Sequence, residues 1–144
     1  AYRDRDLAEA MISDLRAVGI IADLSYNKYA AAREKVRTGQ TILNFSTWGS
    51  YSINDASAIT SNFFRGGPDD MAGDTEVAEM LEQADTTVDS ELRKKLYSEA
   101  LMKISDQAYW LPLFTYSYLY AFNSDLNFEP TADEIPRFFN SSWK

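Results

Sequence analysis

Residues 15–24, LRAVGIIADL, connect a predicted helix to a predicted strand and decide the fold class of this chain. Upstream of this stretch, apolar side chains recur at the spacing of one helix face, at Leu7, Met11, Leu15 and Val18. Gly19 is of the residue type that most often ends a helix. The β-branched, apolar run after it predicts a short strand over 20–24.

The same order of elements repeats in the next twenty-five residues. We expect Asn27 to cap a second helix, which runs through Val36 and ends at Gly39. A second strand is predicted over 42–45, just before Trp48. Because helices and strands alternate, the sequence predicts an α/β layer with parallel strands.

The sequence pattern in the middle of the chain predicts three helices. Asp55 can cap a short helix that is broken at 65–68, and Asp74 can cap the next one. A third, longer helix begins near Asp89 or Ser90. The apolar side chains expected on the inner faces of the two longer helices are Val77, Leu81, Ala84, Leu92, Leu96, Ala100 and Ile104.

Residues 110–122, WLPLFTYSYLYAF, alternate strictly and predict a strand. We assign most of its aromatic face to core packing, with Tyr116 and Tyr118 as the two members that can reach a ligand. Beyond Asn123 the chain becomes irregular and ends in aromatic residues, Phe138, Phe139 and Trp143, which must bury their rings against something. The aromatic face comprises Phe114, Tyr116, Tyr118, Tyr120 and Phe122.

Composition excludes several kinds of chemistry. The 144 residues include no Cys and no His, which excludes thiolate nucleophiles, iron–sulfur clusters, His-ligated metal sites and Ser-His-Asp triads. Fourteen basic against twenty-two acidic residues give a net charge of −8, which argues against a nucleic-acid partner. The basic run Arg93-Lys94-Lys95 is interpreted as a solvated helix face. No apolar run is long enough for a transmembrane segment, and we expect no cofactor and no metal.

Four further segments, taken together with 47–51 (TWGSY), resemble one protein family. They are 15–20 (LRAVGI), 89–97 (DSELRKKLY), 109–114 (YWLPLF) and 134–144 (EIPRFFNSSWK). In this order they resemble the oligopeptide, dipeptide and nickel solute-binding proteins of bacterial ABC transporters, the family 5 extracellular solute-binding proteins. The resemblance spans nearly the whole chain.

The resemblance implies a fold, a location and partners. It implies one lobe of a two-lobed periplasmic-binding-protein (Venus-flytrap) fold, with helices packed on a small mixed sheet. Residues 1–122 would be part of the C-terminal lobe of a longer protein, and 123–144 a tail that crosses back to the other lobe. Such a protein is periplasmic, or lipid-anchored outside a Gram-positive cell. It closes around a small ligand or peptide, delivers it to the membrane permease of an ABC transporter, and catalyses nothing itself.

The resemblance also implies a binding loop at 48–55. Trp48 corresponds to an aromatic residue that lines the ligand pocket in this family, and packing in the core is its alternative role. Tyr51 stands where peptide-binding members commonly have an Asp that pairs with the ligand's amino terminus. Either Asp55 substitutes for that Asp, or the ligand is not an ordinary free-amino peptide, which we favour. The expected ligand-binding residues are Trp48, Gly49, Ser50, Tyr51, Ser52, Asn54 and Asp55.

Two other functions remain open at the level of sequence. A small protein-interaction or sensor module would use the aromatic tail to bind a partner chain. A carboxylate-based hydrolase would use two of Asp55, Asp69, Asp70 and Glu76, but no spacing among them selects a pair. The segment 65–70, RGGPDD, lacks the spacing of a calcium or phosphate loop and is interpreted as an exposed loop.

Overall fold

A computed structural model describes residues 4–49, 53–131 and 135–144. Over these residues the protein is a small α/β protein with five α-helices and one two-stranded antiparallel sheet. The chain divides into two compact units, Ala1–Thr47 and Trp48–Lys144. The helices are α1 (Asp4–Ala17), α2 (Tyr29–Arg37), α3 (Ser57–Phe63), α4 (Thr75–Thr86) and α5 (Ser90–Asp106), and the strands are β1 (Leu126–Asn127) and β2 (Ser142–Trp143).

The two helices of the first unit end as the sequence predicts. Gly19 and Gly39 have φ values of +85° and +67°, which glycine adopts without strain. After each helix, a backbone N–H reaches back five residues, from Ile20 to the Leu15 carbonyl at 2.9 Å and from Gln40 to the Lys35 carbonyl at 2.8 Å. The expected cap of α2 is wrong, because Lys28 occupies the N-cap position without a side-chain bond. Asn27 instead accepts a hydrogen bond from Lys35 Nζ at 2.9 Å.

The strands predicted over 20–24, 42–45 and 110–122 are wrong: none of these described segments forms a strand. Apolar, β-branched or alternating residues fit a pleated surface, but a strand also needs a neighbouring chain to complete its hydrogen bonds. Many apolar side chains of these segments lie exposed, including Ile21, Leu43 and Leu119. The sheet that does form is antiparallel and not mixed or parallel, and it lies near the C-terminus.

The second unit has its core in the α4–α5 hairpin, as the helix spacing predicts. Leu81 and Ala84 of α4 and Ala100 of α5 are completely buried. Asp74 and Asp89 cap the two helices, each with a carboxylate that accepts two backbone N–H groups of the first turn. Leu92 is the exception to the predicted inner face, since it lies in the first turn of α5 and is 44% exposed.

The C-terminal residues fold back on the chain that precedes them. Leu126 pairs with Trp143 and Asn127 with Ser142 in the small sheet. The Phe128 ring contacts the rings of Tyr120, Phe122 and Phe138, with centroids 5.1 to 5.9 Å apart. The assignment of most of the aromatic face of 110–122 to core packing is therefore wrong. Tyr120 and Phe122 contact the Phe128 ring, but four of the five rings are 38% to 54% exposed, those of Phe114, Tyr116, Tyr118 and Phe122. Phe138, Phe139 and Trp143 remain largely exposed.

Candidate functional site

Trp48 is the first residue of the second unit, and its side chain lies against α3. Its indole N–H points to the Ala58 carbonyl with an Nε1–O distance of 3.4 Å. Its ring meets the Phe63 ring edge to face, with centroids 4.9 Å apart and planes at 86°. This geometry is one that aromatic pairs favour. The Trp48 side chain is half-buried, so it is held on one helix while part of its surface stays accessible.

A row of rings connects Trp48 to the core. Phe63 contacts Trp110 at a centroid distance of 4.7 Å, and Trp110 contacts the buried Phe64 at 5.2 Å. Trp48 is the member of this row that belongs to the predicted binding loop, 48–55. Packing, the alternative role considered for Trp48, is therefore observed, and part of the ring surface stays accessible.

The Asp55 carboxylate is engaged by two donors. Oδ1 accepts the Ser57 backbone N–H at 2.9 Å and an Arg93 guanidinium N–H at 2.8 Å. These contacts, the Arg93 hydrogen bond above all, hold the pKa of Asp55 well below its usual range. Asp55 thus caps the start of α3 in an Asx turn, one position before the N-cap residue Ala56.

Arg93 is a site residue that the sequence interpretation missed. Its Nε–H donates to the Ala84 carbonyl at 3.1 Å, and its guanidinium carbon lies 4.8 Å from the Tyr97 ring centroid. Its side chain is 34% exposed, so its assignment to a solvated face was wrong. One signal could have revealed it: Arg93 stands four residues before the buried Tyr97 and so shares a face of α5 with it.

A second ionic contact connects α3 to α4 and α5. The Asp85 carboxylate accepts hydrogen bonds from Ser61 Oγ at 3.1 Å, from Arg65 at 2.7 Å and from the Tyr97 hydroxyl. Burial and the Asp85 bond raise the pKa of Tyr97 to about 12. Arg65 also contacts Glu82. The start of segment 65–70 is therefore fixed to α4, and the interpretation of the whole segment as an exposed loop was wrong at Arg65.

The structure brings Trp48 and Asp55 to the same turn of α3. Ala58 joins them, because its carbonyl accepts the Trp48 indole and its N–H donates to the Asp55 backbone carbonyl at 3.1 Å. Gly49 is half-buried beside Trp48, and Asn54 is exposed next to Asp55. The other predicted members of the loop, Ser50, Tyr51 and Ser52, lie outside the described residues.

The remaining candidates lie elsewhere in the second unit. Tyr116 packs edge to face on Phe114 at 5.2 Å, and Tyr118 is 46% exposed. The Asp70 carboxylate organises its own turn by accepting the N–H groups of Gly66, Ala72 and Gly73.

Three of the four carboxylates considered for hydrolysis have separate partners. Glu76 accepts from Lys103 Nζ at 2.5 Å, whereas Asp55 contacts Arg93 and Asp70 contacts backbone N–H groups. Among the described residues, no three acidic side chains come together in a way that could hold a metal ion.

Three comparisons with known proteins bear on the family. No protein-family profile, no curated protein and no solved structure matches this chain. Within 4–49, 53–131 and 135–144, every helix is too short or too polar to cross a membrane.

Proposed function

We propose that this chain is one lobe of an extracytoplasmic solute-binding protein, which captures a small peptide or peptide-like ligand between two lobes. In this proposal the closed protein delivers its ligand to the permease of an ABC transporter. The sequence resemblance supplies the class of protein. The observation that supports a binding site within the chain is the position of Trp48, half-buried and held on α3 by one hydrogen bond and one ring contact.

A fixed aromatic ring is well suited to bind a small ligand. It offers a large apolar surface, and its two side-chain torsions are already restrained by Phe63 and Ala58. Binding therefore costs little additional side-chain entropy at this position. Polar neighbours such as Asn54 can add hydrogen bonds to a peptide backbone, because Asn54 is exposed on the same loop.

Exposed apolar segments in both units favour a larger fold around this chain. Ile21, Leu43 and Leu119 are each more than 70% exposed, in segments whose sequences predict strands. A folded protein seldom leaves so many apolar residues uncovered in several separate segments. In a two-lobed protein, neighbouring strands would pair with these segments and cover their side chains.

The test compares two tryptophan substitutions in the 144-residue chain. The probes are trialanine and N-acetyl-trialanine, with binding followed by ligand-observed NMR because one lobe alone should bind in the millimolar range, roughly −4 kcal/mol. Trp48→Ala should weaken binding by more than about 1 kcal/mol, or about fivefold. Trp143→Ala is the matched control, since Trp143 is 71% exposed in β2 and should leave binding unchanged.

The outcomes separate the proposal from its main alternative. Equal binding by both variants and the unmodified chain would place the site away from Trp48. Absence of binding in every chain would contradict the proposal. The exposed rings of Phe138, Phe139 and Trp143 favour an interaction module as the second candidate. If the chain is such a module, Trp143→Ala should weaken binding of the probe peptides and Trp48→Ala should not.

A further inference from the structure

The carboxylate nearest to Trp48 in sequence on the described part of the loop, Asp55, already has a cationic partner. A free carboxylate in a binding site would be a natural acceptor for the ammonium group of a ligand. Here Arg93 donates to Asp55 Oδ1 at 2.8 Å, and each of the two side chains is 34% exposed. A ligand ammonium approaching Asp55 therefore meets a neutral pair, and also the positive charge of Arg93.

Arg93 is held in this position by contacts other than Asp55. Its Nε–H bonds to the Ala84 carbonyl at 3.1 Å, and its guanidinium stacks over the Tyr97 ring at 4.8 Å. Moving Arg93 away from Asp55 would break both contacts. The pair is thus a fixed part of the site, and a ligand cannot easily displace Arg93 from the carboxylate.

We infer that Arg93 is a specificity-determining residue of the proposed ligand site. Its ion pair with Asp55 lowers the affinity for ligands with a free ammonium group relative to ligands whose amino end is uncharged. N-acylated and cyclic peptides are ligands of this class. The inference rests on the proposed function, because it assumes that a ligand binds beside Trp48.

A purely structural role for Arg93 makes different predictions. A structural residue would change stability, and it would change the affinity for both classes of ligand together. A specificity-determining residue changes the ratio of the two affinities. Lys103 provides the matched control, because it makes a similar bridge at the other end of the α4–α5 hairpin, to Asp74 at 2.9 Å.

The experiment measures the ratio of the dissociation constants for N-acetyl-trialanine and trialanine at pH 7. Arg93→Gln, which keeps an amide donor for the Ala84 carbonyl, should shift this ratio about fivefold in favour of trialanine, as expected for one freed charged acceptor. The double variant Arg93→Gln with Asp55→Asn should return the ratio to that of the unmodified chain. Arg93→Lys, which retains the charge, and Lys103→Met should leave it unchanged.

A second measurement does not need a ligand. Carboxyl NMR titration should find the pKa of Asp55 below its usual range in the unmodified chain and higher in Arg93→Gln. An ordinary pKa for Asp55 in the unmodified chain would overturn the inference. Binding with an unmoved ratio, or an equal shift in the double variant, would overturn it as well. If no variant binds either probe, the proposed function fails, and the inference that rests on it fails with it.

Discussion

Leu81→Ala should remove a large part of the stability of the unit that carries the site. Leu81 is completely buried between α4 and α5. The change deletes three buried carbons, which at about 0.8 kcal/mol each amounts to about 2.4 kcal/mol of transfer free energy. A residual cavity adds to this value, so we expect a loss of about 3 kcal/mol. Such a loss is a substantial fraction of the free energy of unfolding of a folded domain, which is typically about 5–15 kcal/mol.

Urea unfolding followed by circular dichroism measures this loss directly. With a slope of about 1.5 kcal/mol per molar, the midpoint should fall by about 2 M at an unchanged slope. Leu92→Ala is the matched control, because it makes the same change on the same hairpin at a side chain that is 44% exposed. It should cost less than about 1 kcal/mol. Equal losses in the two variants would refute the assignment of the core to the inner face of α4 and α5.

The remaining predictions concern pH. The hydrogen bonds from Lys103 and from the Val77 backbone lower the pKa of Asp74 to about 2, so its contribution to stability is complete above about pH 4 and is lost as the pH falls towards 2. In Lys103→Met, the free energy of unfolding in urea should depend less on pH between about 4 and 2. An unchanged pH dependence would contradict the role of Lys103 in lowering the pKa of Asp74. Burial raises the pKa of Tyr97 to about 12, so its contribution is complete below about pH 10 and is lost as the pH rises towards 12. Tyrosinate absorbance should lose a late-titrating group in Tyr97→Phe; loss of an early-titrating group instead would be inconsistent with this burial.

The helices could be predicted because their signals are local. The Asp74 and Asp89 side chains each accept hydrogen bonds from the backbone N–H groups two and three residues later. The positive φ of Gly19 allows the Ile20 N–H to bond to the Leu15 carbonyl, five residues earlier. The spacing of Leu81 and Ala84 likewise reports one face of one helix. Each of these features is complete within a short piece of chain, so sequence alone contains what is needed to place it.

The strands could not be predicted, because a strand is defined by its partner. Residues 20–24 have the composition of a strand, yet among the described residues they form no ladder. Conversely, Leu126 and Trp143 form a pair although neither lies in a strand-like run. Pairing of this kind depends on which segments meet in space, and residue pattern alone does not contain that information.

The site falls between these two cases. Placing Trp48 and Asp55 on one loop followed from their closeness in sequence, and the structure joins them through Ala58. Arg93 was missed because it contacts Asp55 across 38 residues and lies within a basic run typical of a solvent-facing helix. The closing of α3 onto the α4–α5 hairpin creates this contact.

Native mass spectrometry of the natural gene product, purified without refolding, tests whether this chain is one lobe of a two-lobed solute-binding protein. We expect a protein well above the mass of 144 residues, carrying a small molecule that is released on denaturation. We also expect Trp48→Ala in that protein to lower the occupancy of the small molecule. A gene product of about this chain's own mass with no bound molecule would contradict the assignment to a two-lobed solute-binding protein.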